Sequence, residues 1–129
     1  ELKLATEIGK CLSNNTRIQI LEWLKNPESH FPPHNTIKHF NDGVCVTYIQ
    51  EKSGLSQSTI STYLTNMEKC GLLISTRHGK WSYLRRNEEL IEAYAVFAEI
   101  VFLPIQIDKS QYMEMKNIEV RTIDAIQHL

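Results

Sequence analysis

The chain has 129 residues, 42% hydrophobic and 22% charged, with a net charge of −1. That length gives one domain with a real core, and the composition is that of an ordinary soluble protein. No apolar run is long enough to span a membrane, the opening residues lack a basic-then-apolar signal pattern, and Cys11, Cys45 and Cys70 form no disulfide framework, so a reducing cytoplasm is the expected location.

Leu4, Ile8 and Leu12 recur every four residues and predict a short amphipathic helix over residues 1–12, with Cys11 near its end. Asn14 is placed to cap a second helix, Asn15 to Lys25. Its expected buried stripe is Ile18, Leu21 and Leu24, widened by Ile20 and Trp23, and Asn26-Pro27 stops it. Residues 26–43 read as a long loop, broken by Pro27, Pro32, Pro33, Asn41 and Gly43, with one short helical turn near Ile37 to Phe40. A loop this long in a compact domain is often functional. The plainer reading is a solvated insertion anchored by Phe31 and Phe40.

Val44 to Lys52 is expected to return to helix, with Val44, Tyr48 and Ile49 inward. Gly54 and Leu55 make a tight corner, Ser56 caps the next helix, and Gly71 ends it. Ile60, Leu64 and Met67 form its buried stripe, while Gln57, Ser58, Ser61, Thr62 and Thr65 make an uncharged polar face. A merely solvated face usually carries Lys and Glu. Short polar side chains suit close approach to the DNA major groove, with its phosphate oxygens and base-edge donors and acceptors. Two helices joined by such a corner form a helix-turn-helix.

A β-hairpin follows, with strands Leu72 to Thr76 and Trp81 to Arg86 around a turn at His78-Gly79-Lys80. Asn87 caps a last helix running to about Phe102, where Pro104 ends it. Leu90, Ile91, Tyr94, Ala95, Phe97, Ala98, Val101 and Phe102 give that helix a stripe broader than one core contact needs, which points to a partner helix from a second subunit. Charge is unevenly spread. Between Lys52 and Arg86 six basic residues face a single acid, Glu68, a local net of +5 on an otherwise acidic chain. The expected division is a domain over 1–102 and a C-terminal extension over 103–129. In the extension Ile105 and Ile107 alternate like a short strand, and Met115, Ile118, Ile126 and Leu129 are loosely helical. It is read as a tail packing on the dimer face or as a plain extension.

The order helix, helix, helix-turn-helix, hairpin, helix resembles the winged helix, and the residues resemble the ArsR/SmtB-type family of bacterial transcriptional repressors. Asn14-Asn15-Thr16-Arg17 with Ile18, Ile20 and Leu21 is similar to that family's second-helix opening. Gly54-Leu55-Ser56-Gln57-Ser58-Thr59-Ile60-Ser61 is similar to its recognition-helix start, and Gly71-Leu72-Leu73 with Arg77, Gly79, Lys80, Trp81 and Tyr83 to its strand and wing. The resemblance covers roughly residues 4–100. It implies a mainly α (α+β) winged helix-turn-helix with a two-stranded β wing. It also implies a homodimer, joined by its first and last helices, that binds a near-palindromic operator in double-stranded DNA and represses transcription.

In that docking mode the start of the recognition helix enters the major groove. Gln57 is the expected base reader, since its amide can bond an adenine edge in bidentate fashion. Ser56, Ser58, Ser61 and Thr62 lie beside it, and Arg77, His78 and Lys80 on the wing are placed to reach phosphates or the minor groove. Lys52, Arg85 and Arg86 are secondary candidates. The family's familiar metal patterns are missing. Cys45 stands alone between Val44 and Val46, and the last helix carries Glu92 and Glu99 but no histidine. No cofactor is expected. Two alternatives stand beside that reading: a zinc or other thiophilic-metal site from Cys45 with His30, His34 or His39, and a thiol switch between Cys11 and Cys45. The plain reading makes all three cysteines small buried apolar residues, Cys70 above all. An enzyme is not expected, because there is no phosphate-cradling glycine loop, nucleophile elbow or paired metal-ligand motif. The rival class is a winged-helix protein-interaction module, which would replace the polar recognition face with apolar or acidic residues.

Overall fold

The computed structural model describes residues 2–104 together with 114, 116 and 117. The expectations for Ile105, Ile107, Met115, Ile118, Ile126 and Leu129 therefore lie outside the described residues. By backbone contacts the chain divides into two units, Glu1–Phe97 and Ala98–Leu129. The elements are α1 (Leu2–Cys11), α2 (Asn15–Lys25), a 3-10 turn (Pro27–Ser29), β1 (Val44–Cys45), α3 (Val46–Ser53), α4 (Gln57–Lys69), β2 (Leu73–His78), β3 (Trp81–Arg86) and α5 (Glu88–Phe102).

Local chemistry explains the boundaries. Asn14 Oδ1 accepts the Arg17 N–H at 3.0 Å and opens α2. Asn87 Oδ1 accepts the Leu90 N–H at 3.3 Å and opens α5. At the end of α4 the Leu72 N–H reaches Met67 O and the Gly71 N–H reaches Glu68 O, each at 3.0 Å. This pair of bonds needs a left-handed residue, and Gly71 supplies it at φ +88°.

The core sits where α1, α2, α3 and α4 meet one face of the sheet. Ile8, Ile20, Leu24, Ile49, Ile60, Leu64, Met67, Leu73 and Leu84 are all buried there. The α4 stripe is the one its period indicated. Two other stripes differ. In α1 Ile8 and Cys11 are buried while Leu4 is exposed. In α2 the inward pair is Ile20 and Leu24, four residues apart on one face. Ile18, two residues from Ile20 and so on nearly the opposite side, is 45% exposed.

The main correction concerns residues 44 and 45. They do not begin α3. They form β1, which pairs antiparallel with β3 through Val44↔Leu84 and Cys45↔Tyr83. The sheet therefore has three strands in the order β1-β3-β2, where the sequence suggested two. Gly43 makes this possible, since at φ +96° it lies so close to β3 that an added Cβ would sit 1.8 Å from Leu84 O. The hairpin strand β2 also runs two residues further than expected, to His78, which pairs with Trp81 across the Gly79-Lys80 turn.

Tyr83 and Leu84 are neighbours in β3, so they point to opposite faces, yet each is only 1% exposed. Leu84 enters the helical core. Tyr83 and its paired neighbour Cys45 face the 26–43 loop, which covers the second face: His34, His39, Phe40, Cys45 and Tyr83 line one tight space. The loop is thus held to the sheet. Phe31 is buried and packs edge-on against Trp23 at 6.2 Å, and Phe40 is partly buried against the core. Its helical turn lies at Pro27–Ser29, where Pro27 presets φ in the first turn, and residues 37–40 are irregular.

Candidate nucleic-acid interface

The α3–α4 pair presents one exposed polar surface. Ser56 Oγ accepts the Thr59 N–H at 3.3 Å and donates to Thr59 Oγ1 at 2.8 Å, which fixes the start of α4. Gln57, Ser58, Ser61, Thr62 and Thr65 are all exposed. Their engagements differ. Thr62 Oγ1 donates to Ser58 O at 2.9 Å, and Gln50 Nε2 of α3 donates to Ser61 Oγ at 3.3 Å. Among the described residues the Gln57 amide has no partner. Of this set it is the group with the longest reach and nothing within the chain to hold it.

The wing residues are equally distinct. Arg77 is exposed, and its Nε donates to Gly79 O at 3.1 Å, which splays the guanidinium beside the turn. Lys80 lies over the Trp81 ring with Nζ 5.0 Å from the centroid. His78 is already engaged, with Nε2 2.7 Å from Asp42 Oδ2. That contact ties the wing tip to the 26–43 loop. Among the secondary candidates, Arg86 forms a bidentate pair with Glu88 at 2.9 Å and also donates to Leu21 O, so it braces α5 against α2. Lys52 lies over Trp23 and Phe31 at 5.3 and 5.7 Å, and Arg85 is exposed.

The candidate metal residues are not gathered into a ligand set. Among the described residues no three His, Cys, Asp or Glu side chains are placed to hold a metal ion. His30 is exposed on its own, and His39 accepts the Asn41 N–H through Nδ1. His34 is buried among Tyr48, Trp81 and Tyr83. The Thr36 N–H and the Tyr83 hydroxyl both approach its Nδ1, at 3.2 and 2.9 Å, so that nitrogen is the acceptor and the proton sits on Nε2. Burial, with Cys45 and Tyr48 nearby, pushes the Tyr83 phenol up and keeps it a donor.

All three thiols are free. Cys45 lines the space under the loop, whereas Cys11 and Cys70 line a separate cleft between α1 and the end of α4. Sequence reasoning missed this shared cleft, the Asp42–His78 pair and the role of Arg17. The Arg17 guanidinium lies 5.0 Å from the Tyr63 ring centroid and donates to Cys11 O, which ties α2 to α4 and to the end of α1. Each joins elements distant in sequence, and only the basic residue at the helix start hinted at any of them.

A helix-turn-helix with an uncharged polar second helix, flanked by a hairpin with a basic tip, defines the winged-helix class of DNA-binding domains. No protein-family model matches the chain. It is 47% identical over 91 residues to the uncharacterized HTH-type transcriptional regulator YbzH of Bacillus subtilis, covering 70% of this chain and 91% of that one. It is 30% identical over 82 residues to the putative arsenical resistance operon repressor ArsR2 of Halobacterium salinarum, covering 64% of this chain and 58% of the relative. In fold it is similar to the homodimeric winged helix-turn-helix domain Mb0332 of Mycobacterium bovis, a possible ArsR-family regulator, with a TM-score of 0.54 at 24% identity over 78% of this chain and 80% of that one. The chain belongs to the HTH-type transcriptional regulators, and its fold is that of a winged helix-turn-helix domain.

Proposed function

We propose that the chain is a homodimeric repressor that binds an inverted-repeat operator and is released by an effector. The observation that carries this reading is the exposed, uncharged face of α4 with an unengaged Gln57 at its start, beside a wing tip bearing Arg77 and Lys80. Gln57 reads a base, Ser58, Ser61 and Thr62 contact bases or phosphates, Ser56 fixes the helix start, and Arg77 and Lys80 hold the backbone. His78 acts through its pairing with Asp42, as a support of the wing rather than a free contact. The winged-helix and dimerisation domain spans residues 1–102, with 103–129 as an extension. The dimer joins α1 and α5, where Leu2, Leu4, Ile100, Val101 and Phe102 are exposed apolar side chains. The protein works on chromosomal DNA in the cytoplasm and has no catalytic role. A protein-interaction module would not keep so uncharged a recognition face. Sedimentation with a random 30-base-pair duplex at low salt tests the assembly. Two protomers per bound duplex are expected, and a single bound protomer, or no binding, would overturn it.

A further inference from the structure

Away from the proposed DNA face, a cleft between α1 and the end of α4 brings two thiols and several charges together. It encloses about 360 Å³, and its walls include Cys11, Cys70, Lys10, Arg17, Lys69 and Glu7. Three cations and one acid give it a local positive charge. Glu7 is the partner of Lys10 at 3.6 Å, which leaves Arg17 and Lys69 without an opposing carboxylate in the cleft. Cys70 is half-exposed, with Sγ 3.4 Å from Met67 O, and Cys11 is buried. The two thiols line the same cleft, Cys11 as the last residue of α1 and Cys70 as the residue that follows α4.

We propose that this cleft is a thiol–disulfide exchange site for a small anionic disulfide, with Cys70 as the attacking thiol and Cys11 as the resolving one. The Cys70 thiolate attacks one sulfur of the disulfide RSSR. A Cys70–SR bond forms, the R–S–S–R bond breaks, and one RS⁻ leaves and takes up the proton lost by Cys70. Cys11 then loses its proton and attacks the Cys70 sulfur. The Cys11–Cys70 bond forms and the second RS⁻ departs and is protonated. In sum, two protein thiols are oxidised and one RSSR is reduced to two RSH. The order of attack follows from exposure, since Cys70 meets the reagent first. Chemistry agrees: burial first, and then the neighbouring Cys70 thiol, push Cys11 up to about 12, so it is a poor first nucleophile. Capping Cys70 removes the second of those causes and readies Cys11 for its turn. The Cys11–Cys70 bond fastens the end of the recognition helix to α1. The proposal concerns the thiols and stands apart from the operator reading.

The test uses the reduced full chain with three disulfides: oxidised glutathione (anionic), 2-hydroxyethyl disulfide (neutral) and cystamine (cationic). Products are mapped by mass spectrometry of unreduced digests. The expected product is a Cys11–Cys70 disulfide, formed about five-fold faster with oxidised glutathione than with cystamine at low salt. Cys11→Ser, or Cys11→Ala where serine does not fold, should arrest at a mixed disulfide on Cys70. Lys10→Gln with Lys69→Gln should abolish the preference for the anionic reagent. A disulfide or adduct found chiefly on Cys45, no exchange at Cys70, or rates in the wild-type chain that do not depend on reagent charge would overturn the proposal.

Discussion

At the scale of single residues, some side chains face outward and others hold the frame. Gln57 and Lys80 belong to the first group. Replacing Gln57 with Ala should relax base preference at one position per half-site by about 1–3 kcal/mol while nonspecific binding stays nearly intact, as measured by competition with single-base operator variants. An equal loss on every sequence would remove it as a base reader. Lys80→Ala should weaken binding to all sequences and lower the slope of log affinity against log salt by about 1. An unchanged slope would take the wing lysine out of the interface. Gly43 and Cys11 belong to the second group. Gly43→Ala forces a Cβ into the β3 backbone, so the sheet must shift, and a loss of more than about 2 kcal/mol is expected in urea unfolding. For Cys11 the folded thiol is held protonated to about 12, against 9.0 for the free group. A raised folded value means that the contribution is full below pH 9 and is lost as pH rises toward 12. Unfolding midpoints should therefore fall more steeply above pH 9 in the wild-type chain than in Cys11→Ala, and parallel curves would contradict it.

At the scale of elements, legibility followed periodicity. The α4 stripe of Ile60, Leu64 and Met67 was plain because one face of a single helix meets the core and the 3.6-residue period shows it. The caps at Asn14, Ser56 and Asn87 were plain because capping is local chemistry. β1 was hidden because two residues carry no period and its strand character comes from pairing with β3 about 40 residues away. The α2 face was misjudged because apolar residues nearly encircle the helix, and only tertiary packing chooses Ile20 over Ile18. In β3 both Tyr83 and Leu84 are buried because the 26–43 loop covers the second face. That loop should behave as part of the sheet. Tyr83→Phe, which deletes the hydroxyl at His34 Nδ1, should cost about 1 kcal/mol and raise amide exchange across residues 32–42 more than in α4. Uniform exchange would mean that the loop is not held there.

At the scale of the whole molecule, family membership was readable because its signature lies in contiguous stretches, the recognition helix and the wing. Much of the proposed DNA face could be read for the same reason, since Gln57, Ser58, Ser61 and Thr62 lie within the first two turns of one helix. What the sequence hid was which of the candidate contact groups are already engaged: His78 with Asp42, Ser61 with Gln50. Such pairings depend on how α3, α4 and the loop pack, and no local pattern encodes them. The central claim is that a dimer reads an inverted repeat with α4. Selection of bound fragments from a random duplex pool, at near-physiological salt, tests it most directly. Recovery of an inverted repeat with half-sites about one helical turn apart is the expected result. Recovery of no sequence above background would contradict it and would turn attention to the acidic body as a protein-binding surface.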